Sequence, residues 1–153
     1  MEKMKQFIFD WIDSNSLAFN EAADYLWQNP ELGMEEKKSS AKLIDLLEHN
    51  GFTVEKGVAG MPTAFVATYG KGKPVIGFSA EYDALPGLSQ ELGTEKKAVR
   101  DGAPGHGCGH NLLGTTAIYA AIALKQLLEE KKMDATLKVF GTPAEELCIG
   151  KPF

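Results

Sequence analysis

The heptad Gly105-His106-Gly107-Cys108-Gly109-His110-Asn111 concentrates the reactive chemistry of the chain, holding two of its three histidines and one of its two cysteines. Only Gly109 separates Cys108 from His110. Extended backbone turns residues i and i+2 to the same side, so the thiol and the imidazole can reach one point. Glycine permits sharp turns and a close backbone approach there. Thiolate and imidazole are the common ligands of zinc and its neighbours. A glycine-rich turn with a buried cysteine would have the same sequence, so the heptad alone leaves both readings open. The remaining acids of interest are Glu81 and Asp83 in AEYDALPG, and the adjacent pair Glu145-Glu146 in GTPAEE.

The elements that must position these groups follow from periodicity. Residues 2–13 form a short amphipathic helix, and Ser14 or Ser16 can cap a second helix to about Gln28. Leu17, Ala22, Tyr25 and Leu26 form its expected inner face, and Asn29-Pro30 closes it. A third helix runs from Glu35 to Asn50 with Ser40, Leu43, Ile44 and Leu47 inward and Gly51 as its C-terminal cap. Strands are expected over Phe52 to Lys56, Thr63 to Tyr69 and Pro74 to Ala80, the last two joined as a hairpin through Gly70-Lys71-Gly72-Lys73. The near-continuous apolar run of the third strand predicts cover on both faces. Residues 87–107 are polar and irregular, a length of loop often functional. A long apolar helix then runs from about Asn111 to Lys132, followed by a strand from Thr136 to Gly141.

Strand 74–80, helix 111–132 and strand 136–141 predict a strand–helix–strand crossover with parallel strands. Three termini then share one sheet edge, where open α/β sheets bind ligands. That edge collects Glu81 and Asp83, then His106, Cys108 and His110, then Glu145 and Glu146. A helix N-terminus favours the thiolate of a nearby cysteine, and carboxylates can ligate a metal or orient a ligating imidazole. Two adjacent glutamates fork, so one can bind a metal while the other moves a proton, as in a metallohydrolase. Each residue also has a plainer explanation. Glu145-Glu146 is a solvated loop tip, Asp83 a turn residue, His106 a backbone hydrogen-bonder, His49 a helix-dipole partner, Cys148 a passive thiol, and Glu31 and Trp27 residues of helix ends and core. The convergence of three segments favours the functional reading.

Bulk properties narrow the class. A chain of 153 residues with 16 basic and 21 acidic side chains suits one globular domain and has no basic stripe for nucleic acid. Two cysteines give no disulfide framework, which favours a cytoplasmic location. The N-terminus carries acids among its apolar residues and is neither a signal peptide nor a membrane span.

Four stretches together resemble a known family: Asn29 to Glu36 (NPELGMEE), Ala80 to Gln90 (AEYDALPGLSQ), Gly105 to Asn111 (GHGCGHN) and Gly141 to Glu146 (GTPAEE). In order and spacing they are similar to the aminoacylase/carboxypeptidase-type metallopeptidases, in the amidohydrolase branch that includes aminobenzoyl-glutamate hydrolase. The resemblance implies a three-layer α/β/α zinc-peptidase-like sandwich with a central mixed sheet, incomplete here. It implies Cys108, His110 and Glu146 as metal ligands, Glu145 as general base and Asp83 as an acid near the site with a less direct role. It further implies one or two divalent ions, zinc or manganese foremost, hydrolysis of N-acyl amino acids or small dipeptides, and a homodimer for the full-length enzyme. Glu81 and Asn111 stand where many relatives carry aspartate. Residues 1–153 would then be the N-terminal part of the catalytic domain, without further histidine ligands or the lid and dimerisation domain, and inactive alone.

Two other readings compete. One is a cysteine hydrolase with Cys108 as nucleophile and His106 or His110 as base. The other is a non-catalytic remnant that associates through an open sheet edge.

Overall fold

The computed structural model describes residues 2–152 as a mixed α/β fold. Helix α1 spans Glu2–Gln28 and α2 Lys37–His49; strands β1 (Thr53–Lys56), β2 (Phe65–Lys71) and β3 (Val75–Ala80) follow, then α3 (His110–Lys131) and β4 (Ala135–Gly141). The sheet order is β1-β2-β4-β3. β4 pairs antiparallel with β2 and parallel with β3, so β3–α3–β4 is the expected crossover.

The N-terminal helix is one element, not two. Ser14 Oγ donates to the Asp10 carbonyl, Asn15 Nδ2 to that of Trp11 and Ser16 Oγ to that of Asp13. These side chains bond back along the helix instead of capping a new one, and the turn continues. The inner face is therefore Phe19, Ala22, Ala23 and Leu26, while Leu17 is 77% exposed and Tyr25 lies at the margin. Trp11, Phe19 and Tyr119 form an aromatic group that joins α1 to α3. α2 begins two residues later than its pattern suggests. Its first turn is held by Glu31, whose carboxylate accepts the Lys38 N–H at 2.9 Å and the Ser39 N–H at 2.8 Å.

The expected hairpin between β2 and β3 does not form, because β4 lies between them. A glycine-rich link signals a reversal but cannot say whether the strands it joins are neighbours. β4 takes the central position with Leu137 and Val139 fully buried, and its start holds the link: Thr136 N–H donates to Pro74 O and Thr136 Oγ1 to Gly72 O. β3 is also not covered on both faces. Ile76, Phe78 and Ala80 face the helices, whereas Val75, Gly77 and Ser79 are exposed. It lies at the end of the sheet order, and among the described residues no helix packs on its outer face.

One core joins the helices to the inner face of the sheet, from Phe19, Leu26, Leu43 and Leu47 through Ile118 and Ile122 to Phe65, Leu137 and Val139. The described residues thus provide the sheet and one helical layer of the sandwich. Gly114, one turn into α3, lets that helix close on the end of β3, since a Cβ there would collide with the Glu81 carbonyl. Gly114→Ala should therefore destabilise the protein by about 1–3 kcal/mol in urea unfolding, a cost of overpacking rather than of helix propensity.

Candidate metal centre

The parallel register between β3 and β4 builds the site. Ala80 pairs with Gly141, and the Thr142 N–H donates to Ala80 O at 2.8 Å. The two strands therefore release Glu81–Asp83 and Pro143–Glu146 side by side. α3 starts at the same edge: Gly109, at φ +81°, turns the heptad into the helix so that His110 is its first residue. The loop and helix residues divide by side. His106 Nε2 donates to Leu26 O and Asn111 Nδ2 to Ala23 O, tying the heptad to the end of α1. His106 thus takes the backbone-bonding role, and burial lowers its pKa.

Cys108 and His110 face the other way. One donor atom each from Cys108, His110 and Glu146 lie within 4.8 Å of one another, and so do donors from Glu81, His110 and Glu145. The two groups share His110. Its Nδ1 lies 2.8 Å from Asp83 Oδ1, and a carboxylate can only accept there, which leaves Nε2 as the ring nitrogen with a free lone pair. Nε2 lies 3.3 Å from Glu81 Oε2 and 3.6 Å from Glu145 Oε2. The other oxygen of Asp83 accepts the Glu146 N–H at 3.0 Å. Asp83 therefore lies behind the imidazole, where it orients two of the donors and takes no part at their focus.

The donor chemistry suits a divalent ion. A sulfur, an imidazole nitrogen and carboxylate oxygens form a mixed set of the kind zinc accepts, and Glu146 Oε1 is buried without a hydrogen-bond partner. The expected thiolate-favouring effect of the helix start is overridden. The Glu146 carboxylate, placed to accept the thiol proton, raises the Cys108 pKa, with burial and the charges of Glu146, Glu145 and Glu81 adding to it. That arrangement gives no support to a cysteine nucleophile, which needs a base to lower the thiol's pKa rather than acids that raise it.

The sequence reading singled out neither of two further residues of the site. Lys151 Nζ bridges Glu81 Oε1 at 2.7 Å and Glu145 Oε1 at 3.1 Å, which raises the lysine's pKa through those two hydrogen bonds. Glu36 is fully buried yet accepts the Ala144 N–H beside the glutamate pair. A buried acid is rare without partners, but its burial cannot be read from NPELGMEE. A cavity of about 530 Å³ lies elsewhere, lined by Trp27, Arg100 and His106 among others and by none of the candidate ligands; the donor geometry outweighs its size in locating the chemistry. Replacing Asp83 with alanine should weaken zinc binding roughly 10–100-fold in a chelator competition, as expected when the partner of a ligating histidine is lost.

Comparison with known proteins bears on the family and the fold. Residues 77–152 match the model of the peptidase family M20/M25/M40. The whole chain aligns at 46% identity with one of the subunits of p-aminobenzoyl-glutamate hydrolase from Escherichia coli and covers 32% of that protein. Over 99% of its length it aligns at 31% identity with Xaa-Arg dipeptidase of Mus musculus and covers 34% of it. The chain thus spans about a third of the length of these curated relatives. Among solved structures, Bacillus subtilis YXEP, described as a dinuclear metal binding peptidase from the M20 family, superposes with a TM-score of 0.71 at 24% identity, over 95% of this chain and 38% of that one. The aminobenzoyl-glutamate utilization protein of Klebsiella pneumoniae superposes with a TM-score of 0.59 at 16% identity, over 90% and 39%. On the family match, the full-length alignment and the shared fold together, the chain belongs to the M20/M25/M40 peptidase family.

Proposed function

We propose that this chain carries the N-terminal part of the catalytic unit of a metal-dependent amidohydrolase acting on N-acyl amino acids or small dipeptides. The observation that supports it best is the convergence of Cys108, His110 and Glu146 donors within 4.8 Å. In this reading Cys108, His110 and Glu146 hold a divalent cation, zinc or manganese, with Glu81 and Glu145 as additional carboxylates beside it. The bound cation supplies Lewis acidity to an amide carbonyl and to water. Glu145 acts as the general base: its carboxylate takes a proton from water and passes it to the leaving amine. Asp83 keeps Nε2 of His110 turned to the cation. The substrate class rests on the 46% identity with the Escherichia coli hydrolase. We further propose a cytoplasmic enzyme that dimerises in its full-length form. No helix among the described residues is long and apolar enough to cross a membrane.

Cobalt(II) titration of the chain tests the reading. A thiolate-to-cobalt absorption band should appear with the wild type, vanish in Cys108→Ser and weaken strongly in Glu146→Gln. Saturable binding without that band, or no binding, would refute the proposal. Hydrolysis of p-aminobenzoyl-glutamate by residues 1–153 should be slow or absent and, where measurable, lost on adding a chelator. Lys151→Met should tighten cobalt binding, because it removes the cation that competes for Glu81 and Glu145; unchanged or weaker binding would place the metal away from those acids.

A further inference from the structure

Glu36 lies outside the proposed ligand set, yet it is wired to it. Its side chain is fully buried at the start of α2. Oε1 accepts the Ala144 N–H at 2.8 Å and Oε2 accepts the Thr63 hydroxyl at 2.8 Å. Burial raises its carboxyl pKa, and the bonds from Thr63 and Ala144 oppose that shift. Its partner is the residue from which the two site glutamates spring. Ala144 sits at φ +55°, ψ 44°, a left-handed conformation for a residue with a Cβ. A residue with a Cβ adopts that conformation at a cost, and the buried hydrogen bond from its N–H to Glu36 Oε1 opposes that cost. Gly33 closes the other side, since a Cβ on it would stand 3.0 Å from Ala144 Cα.

The same segment grips the opposite rim. Glu31 O accepts the Ala84 N–H at 2.8 Å, and Leu32 bridges Ala84 in parallel. The stretch from Glu31 to Glu36 therefore touches the residue after Asp83 and the residue before Glu145. Both strand-end loops are clamped from the helical layer, by backbone on one side and by a single carboxylate on the other.

We infer that Glu36 is a positioning residue: by holding Ala144 in its left-handed turn it sets the directions in which Glu145 and Glu146 fork. This rests on the metal reading above and adds a residue to it. The core does not need that bond, because β4 is fixed by its pairing with β2 and β3 up to Gly141. Losing it should loosen Ala144–Cys148 while the sheet stays intact. Glutamine can keep the Ala144 bond with its amide oxygen and donate to the Thr63 hydroxyl. Methionine keeps the volume and lacks the acceptor.

The test compares Glu36→Met and Glu36→Gln with wild type by amide hydrogen exchange, zinc competition and urea unfolding. In Glu36→Met the Ala144 amide should exchange at least about tenfold faster, while Leu137 and Val139 amides keep their wild-type rates and zinc affinity falls about tenfold, a loss within the range for a disturbed support shell. Glu36→Gln should restore both. Three results overturn the inference: an unchanged Ala144 amide, an Ala144 amide that speeds up only in step with Leu137 and Val139, or unchanged zinc affinity with a selectively freed Ala144. If wild type itself binds no zinc, the metal reading fails, and the exchange data alone decide whether Glu36 holds Ala144: selective release supports it and no release refutes it.

Discussion

A single buried carboxylate ties the site together. Asp83, 1% exposed, takes the Nδ1 hydrogen of His110 on one oxygen and the Glu146 N–H on the other. It comes from the end of β3, its first partner from the start of α3, and its second from the turn after β4. A buried carboxylate without such partners would be strongly unfavourable. The three segments must therefore arrive together, and the parallel register of β3 and β4 brings them there. The donors of the site cluster because the acid behind them requires two hydrogen bonds.

Charge is the second organising constraint. Glu81, Asp83, Glu145 and Glu146 crowd one sheet edge, and like charges at such distances repel. Lys151 answers that excess from the surface, with Nζ on both Glu81 and Glu145. The raised pKa of the Cys108 thiol has the same origin. A divalent cation at this edge would relieve the repulsion and favour the thiolate at once, so affinity for metal follows from the repulsion within an acid cluster as much as from any one ligand.

Much of this was legible in the sequence. The crossover followed from an apolar strand, a long apolar helix and a second strand, and the edge it defines collected the chemical residues without any knowledge of contacts. Element identity survived where periodicity was long, as in α3 and α2. Neighbour relations did not survive. Gly70-Lys71-Gly72-Lys73 has the composition of a hairpin, but composition does not say which strands become neighbours, and β4, with Leu137 and Val139 buried, inserts between β2 and β3. The serines at 14 and 16 misled for a different reason: the same hydroxyl can cap a helix or bond back within one, and the tertiary packing of Phe19 and Leu26 on α3 selects the continuous helix. Glu36 and Lys151 were illegible because their roles lie in burial and in a fold-back of the chain, neither of which leaves a periodic trace.

In the proposed centre one sulfur, one imidazole nitrogen and carboxylate oxygens share a cation, and zinc X-ray absorption of the loaded chain measures that shell directly. It should show one sulfur at about 2.3 Å with nitrogen and oxygen near 2.0–2.2 Å, and Cys108→Ser should remove the sulfur alone. A first shell containing no sulfur in the wild type, or one unchanged by that substitution, would contradict the proposed centre.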